Sequence, residues 1–269
     1  MTRRSFAAGF MLVPALRAQL VSKSKERGQA VLNDCLAALG GQKFLAMQDR
    51  IETGRAYSFY REQLTGLSIA KLFTRYPEPP QPVPESYYGI LERQNFGKKQ
   101  DIATLFNLKG GFELTFRGAR PLPDQTVQRH QSATITNFLY ILRQRLREPG
   151  MSFESQGITV VENQRVEELD VFDNAGRQIT VYIAANSNLP VMQKYMRFDN
   201  TYKVRMEEIA RYSKFRDVGG GVMWPFDFQR ERDGEKNYQM FSDSVSIGNN
   251  FEAGLFDLPS GVKMLKQER

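Results

Sequence analysis

Few residues in this chain are of types that do chemistry, and each has to be weighed against the spacing that chemistry needs. His130 is the only histidine and Cys35 the only cysteine. An activated nucleophile or an imidazole-based acid–base pair would rest on these two together with carboxylates. His130 stands next to Arg129 and off the apolar stripe of its segment, so a solvent-facing or helix-capping role fits it better than catalysis. A transition-metal site with one histidine and one cysteine would need carboxylates to complete it. The adjacent pairs Glu167-Glu168 and Glu207-Glu208 fall in strand-like stretches, where neighbours point to opposite faces, so neither pair makes a site. There is no glycine-flanked serine elbow and no phosphate-cradling glycine loop with lysine, and Gly219-Gly220-Gly221 lacks dinucleotide-binding spacing. The expectation is a protein that is not an enzyme and uses no metal or cofactor. Cys35 shares a helical face with Leu32, Leu36 and Leu39 and reads as a small apolar core residue; an intermolecular disulfide or a reactive thiol are the alternatives.

The N-terminus carries information of another kind. Thr2-Arg3-Arg4-Ser5-Phe6 leads into an apolar run from Ala7 to Leu16, and Ala15-Leu16-Arg17-Ala18 ends in the small-x-small pattern that signal peptidase accepts. Residues 1–18 are therefore expected to be a cleaved export signal, and 19–269 a single domain in the periplasm. Paired arginines followed by Phe6 resemble the twin-arginine (Tat) type of signal. The apolar run is about half of the roughly 20 residues that span a bilayer, so no stable transmembrane segment is expected. An exported chain with one cysteine has no internal disulfide and must be held by packing alone. Without Arg3, Arg4 and Arg17 the net charge falls from +7 to +4. The basic residues are interleaved with acids, as in Arg230-Glu231-Arg232-Asp233, which argues against a nucleic-acid partner.

The elements that would position any site are mostly strands. Ser24 as a cap, the Leu32, Leu36, Leu39 stripe and the Gly40-Gly41 stop predict a helix over 24–39. From Arg50 the apolar period drops to two, and successive strand-like runs separated by turn residues extend to Ile247. Five prolines between Pro77 and Pro84 predict a stiff loop, with a docking segment for a protein as its alternative. One interruption stands out. From Asp124 to Glu148, Val127, Ile135, Phe138, Leu139, Leu142 and Leu146 recur at helical spacing before Pro149-Gly150, predicting one long helix. A sheet with one apolar face must curl and be covered, and these two helices are available to cover it.

Aromatic residues make up 12% of the chain, and a curled sheet lined by them under an apolar helix could hold a greasy ligand or be filled by its own side chains. Spacing does not separate the two. The order of elements resembles the LolA-like outer-membrane lipoprotein-sorting proteins. The likeness is carried by Leu36-Ala37-Ala38-Leu39-Gly40-Gly41 and by the C-terminal run from Tyr212 through Gly219-Gly220-Gly221-Val222-Met223-Trp224-Pro225 to Phe256-Asp257-Leu258-Pro259. It implies a mainly β (α+β) fold, a curled antiparallel half-barrel with an N-terminal helix and a helical lid. It further implies a hydrophobic ligand, either a lipid, an acyl chain or a lipoprotein. The Pro77 to Pro84 loop and the single long helix depart from the family's more elaborate lid. Phe59, Phe73, Phe116, Ile135, Phe138, Leu139 and Leu142 are the expected lining of an apolar cavity. The competing reading is an envelope interaction module with a filled core that docks a protein partner.

Overall fold

The structure, a computed structural model, describes residues 12–78, 89–199 and 203–267. Residues 1–11 of the expected export signal and residues 79–88 of the proline loop lie outside the described residues.

Helix α1 runs over Leu12–Leu39 and a short α2 over Gln42–Leu45. Six strands follow: β1 (Asp49–Tyr60), β2 (Gln63–Arg75), β3 (Leu91–Phe96), β4 (Ile102–Asn107), β5 (Gly110–Thr115) and β6 (Gly118–Pro121). A helical segment comes next, made of α3 (Asp124–Ile135), α4 (Phe138–Tyr140) and a π-helical turn over Ile141–Arg145. Seven more strands complete the sheet: β7 (Ser152–Val161), β8 (Gln164–Phe172), β9 (Gln178–Ala184), β10 (Pro190–Asp199), β11 (Val204–Asp217), β12 (Met223–Arg232) and β13 (Glu235–Ile247). A 3-10 turn over Ala253–Phe256 lies in the C-terminal segment.

Among the described residues the strands form one antiparallel sheet in the order β6-β5-β4-β3-β2-β1-β13-β12-β11-β10-β9-β8-β7. Two meanders are joined where β1 pairs with β13, and the sheet curls without closing. Its two edges, β6 and β7, are consecutive in the chain. The helical segment between them must cross from one edge to the other, and it does so over the concave face. Tight turns drive the meander. Arg61 and Glu62 (φ 48° and 62°), Glu162 and Asn163 (50° and 63°), and Asp233 and Gly234 (49° and 79°) are left-handed at both turn positions, the geometry that matches strand twist.

The main core lies between α1, the π-helical segment and the concave face of β8 to β12, with Leu32, Cys35, Leu39, Phe138, Leu142, Leu169 and Val181 all buried. Helix α1 begins well before Ser24, so that residue caps nothing. Its hydroxyl donates instead to the Ser155 carbonyl (2.7 Å), while Arg27 grips Glu167 through two bonds of 2.8 and 2.7 Å. Gly28 allows the close approach, because a Cβ there would meet the Phe153 carbonyl oxygen at 2.3 Å. A second cluster on the opposite, convex face packs the C-terminal segment (Phe251, Phe256, Leu258, Val262) against β2 to β6. No helix among the described residues is long and apolar enough to cross a membrane.

The expected single helix over 124–148 is two helices with a break at Thr136-Asn137. Asn137 restarts the helix as its cap, accepting from the Tyr140 amide (3.1 Å). Gln193 of β10, 2% exposed, takes up the freed backbone groups, accepting from the Phe138 amide (2.7 Å) and donating to the Thr136 carbonyl (2.8 Å). The Tyr212 hydroxyl joins this group by donating to the Gln193 side chain and accepting from Asn137 Nδ2. The break is thus held by polar side chains of the sheet, which helical periodicity does not report.

Candidate functional site: a cavity under the helical lid

The break turns α3 so that His130, Ala133 and Thr134, with Asn137 of the break, spaced at i, i+3, i+4 and i+7, face the concave sheet. What remains is a cavity of about 230 Å³ between α3, β1 to β3 and β12 and β13. Leu72, Ile90, Leu139, Trp224 and Met240 form much of its wall, and all but Leu72 are buried. A second compartment of about 400 Å³ continues between α3 and β10 to β12, and the two share Gln94, His130, Ala133, Asn137, Phe228, Arg230 and Tyr238. Thr126 and Arg129 on its rim are exposed, so this is the outer compartment.

The inner cavity has a charged patch whose members largely pair with one another, although Arg50 Nε has no hydrogen-bond partner. Arg50 donates to the Tyr76 hydroxyl (2.9 Å) and Thr74 Oγ1 (3.2 Å), lies 3.4 Å from Glu52 and stacks over the Trp224 ring at 4.1 Å. Glu52 also accepts from Ser242, and Glu92 accepts from Gln94. Burial works against the Arg50 charge, but Tyr76, Glu52 and Glu92 outweigh it and hold its pKa above the usual arginine value. Burial raises the phenols of Tyr212 and Tyr238, which keeps both as neutral hydrogen-bonding groups.

His130 sits at the junction of the compartments, stacked flat on Phe106 at 3.6 Å between centroids. The expectation of a solvent-facing or capping histidine is therefore corrected. The turn of α3 at the break aims it inward, and burial pulls its pKa down, opposed by Glu92 and reinforced by Arg230, so the imidazole is neutral at neutral pH. Cys35 is fully buried, and burial pushes its thiol up to about 12, which removes the reactive-thiol alternative. Among the described residues no group of three His, Cys, Asp or Glu could hold a metal ion.

Of the seven residues expected to line a cavity, Leu139 does so. Phe138 and Leu142 are completely buried in the main core, with Ile135 packed against it. Phe73 faces the convex side, where its ring meets Phe251 edge-on at 5.8 Å. Phe59 lies far along β1 under the Lys236 ammonium at 4.4 Å. Phe116 is 87% exposed in the turn between β5 and β6. The lining that was not expected includes apolar residues such as Leu72, Ile90, Trp224 and Met240, and a polar or small set, Arg50, Glu52, Glu92, His130, Ala133 and Arg230. The alternation of β1 carried a usable signal. Arg50 and Glu52 share a face with Ala56, so the charged and small residues, not Phe59, mark the concave side.

No protein-family profile and no curated protein matches the chain. Solved structures do. A DUF1329 family protein from Desulfovibrio piger superposes with a TM-score of 0.55 at 11% identity, over 86% of this chain and 97% of that one. A domain assigned to outer-membrane lipoprotein sorting, from Vibrio parahaemolyticus, gives 0.54 at 11% identity, over 87% and 97%. The fold is LolA-like. At this identity the likeness concerns the fold alone, and the chemistry of the LolA-like cavity has to be read from the residues that line it here.

Proposed function

We propose that this protein is a non-enzymatic, carrier-type binding protein of the periplasm, and that the cavity under α3 receives the apolar part of a lipid, an acyl chain or a lipidated protein. The observation that carries this reading is the pair of communicating compartments between α3 and the concave face. Pockets that bury small ligands hold about 300–1,000 Å³. The outer compartment, at about 400 Å³, lies in that range, and the inner one, at about 230 Å³, extends it inward. An interaction module with a filled core needs no such space. The space also limits the cargo, since it suits one chain better than a bundle of them.

Ala133 offers the test, because it lines both compartments from α3 and lies outside the packed core. Ala133→Trp should fill the junction and abolish uptake of a fluorescent fatty acid while leaving the melting temperature near that of the wild type. A wild-type protein that takes up no apolar probe would favour the interaction module. The periplasmic part of the proposal rests on Arg3-Arg4 and the Ala15 to Ala18 pattern. Replacing both arginines with lysine should hold the precursor in the cytoplasm, and N-terminal sequencing of exported wild-type protein should begin at Gln19.

A further inference from the structure

The charges around the two compartments are not balanced in the same way. In the inner cavity Arg50 has Glu52 beside it and Glu92 nearby, so its charge is matched there, with hydroxyls and an amide bonded to these three groups. The outer compartment is lined by Arg129, Arg197, Arg230 and Arg232 against one carboxylate, Glu208. Glu208 is already shared, accepting from Arg197 (3.0 Å) and Arg232 (2.9 Å), and Arg197 also reaches Asp199 (3.1 Å). Arg230 has aromatic neighbours instead. Its guanidinium lies over Phe228 at 5.2 Å and Tyr238 at 5.9 Å, with no carboxylate at ion-pair distance among the described residues. Phe228, Arg230 and Tyr238 all line both compartments, so this cation stands at the neck between them, where solvent still reaches it.

We infer that the ligand is an anionic amphiphile, with a carboxylate or phosphate head held by Arg230 in the outer compartment and a single apolar chain passing inward toward Leu139, Met240 and Trp224. This deepens the carrier reading and rests on it. A guanidinium flanked by rings keeps its planar fork oriented, and the fork matches the two oxygens of a carboxylate or phosphate. A cleft lined with charge of one sign concentrates the field and draws in ligands of the other sign. The inner patch is balanced in charge, so an apolar chain can lie against the Leu139, Met240 and Trp224 walls without leaving a charge without its counter-charge.

The test is displacement of a bound apolar fluorophore by decanoate, decanol and inorganic phosphate at about pH 8, where the carboxylate is ionised. Decanoate should bind at least about tenfold more tightly than decanol, a difference of about 1.4 kcal/mol. Added salt should weaken decanoate and leave decanol unchanged. Arg230→Gln should remove most of the preference, weakening decanoate far more than decanol. If that variant does not fold, Arg129→Gln on the exposed rim should reduce the preference instead, and an unchanged preference overturns the inference. Equal binding of decanoate and decanol by wild-type protein overturns the anionic head and leaves the carrier reading standing. Failure of both to displace the fluorophore overturns both readings. Phosphate that competes as well as decanoate would mean a free-anion site and overturn the amphiphile.

Discussion

At the residue scale, two neighbours on one helical segment have different fates. Phe138 is fully buried in the main core, whereas Leu139, packed in the same core, also forms part of the cavity wall. The apolar spacing joined them in one stripe and gave no reason to part them. Both follow the break at Thr136-Asn137, and helix neighbours point about 100° apart; the break itself resets the helical phase between His130 and Ala133 before it and Phe138 and Leu142 after it. Phe138→Asp would place an unpaired charge among Leu169, Val181 and Leu142, at a cost of several kcal/mol against a typical total of about 5–15. It should therefore unfold the domain, seen as loss of the cooperative transition in circular dichroism. A folded Phe138→Asp protein that has only lost probe uptake would mean that Phe138 faces ligand. The cysteine was legible for the opposite reason: Cys35 belongs to an uninterrupted stripe in α1, and such a stripe keeps its phase.

At the scale of elements, the strands were legible and the lid was not. Period-two alternation and turn chemistry mark strand-like runs from Arg50 to Ile247, and the observed strands span residues 49–247, because both signals are local. The short β6, with four residues, has no alternation to display. The lid failed because its break is stabilised at long range: Gln193, on β10, is the residue that satisfies Phe138 and Thr136. Gln193→Leu keeps the volume and removes both bonds. Each backbone group left buried without a partner costs about 1–3 kcal/mol, so the variant should lose a few kcal/mol in urea denaturation. The loss should exceed that of Asn137→Ala, which removes the cap but leaves Gln193 in place. The reverse order would mean that the cap, not the sheet, holds the break.

At the scale of the whole molecule, a curled sheet that does not close leaves two edges, and open edges invite pairing with other chains. The chain covers each differently. Helix α1 packs along β7 through Gly28 and Ser24, and Arg27 reaches past it to Glu167 of β8. Edge β6 is covered by the C-terminal segment, which adds a parallel bridge between Ala119 and Met264, with the Ala119 amide donating to Lys263 (2.9 Å) and the Leu265 amide to Ala119 (2.8 Å). The closing Phe-x-Leu-Pro run was recognisable in the sequence as an ending, yet the edge cover is the stretch after it, residues 263–265, whose partner Ala119 lies some 145 residues earlier, which no local pattern encodes. Gly118 is where this cover can be tested. Its φ is +135°, and a Cβ there would stand 2.2 Å from the Lys263 carbonyl oxygen. Gly118→Ala should push the C-terminal segment off β6, exposing Lys263 to trypsin and letting the bare edge pair between molecules, seen as a concentration-dependent dimer in size-exclusion chromatography. Gly110 supplies the control, since its φ of +129° imposes similar strain while nothing lies within 4 Å of its missing Cβ. Equal protease sensitivity and equal oligomeric state in Gly118→Ala and Gly110→Ala would mean that backbone strain, and not loss of the edge cover, governs the response.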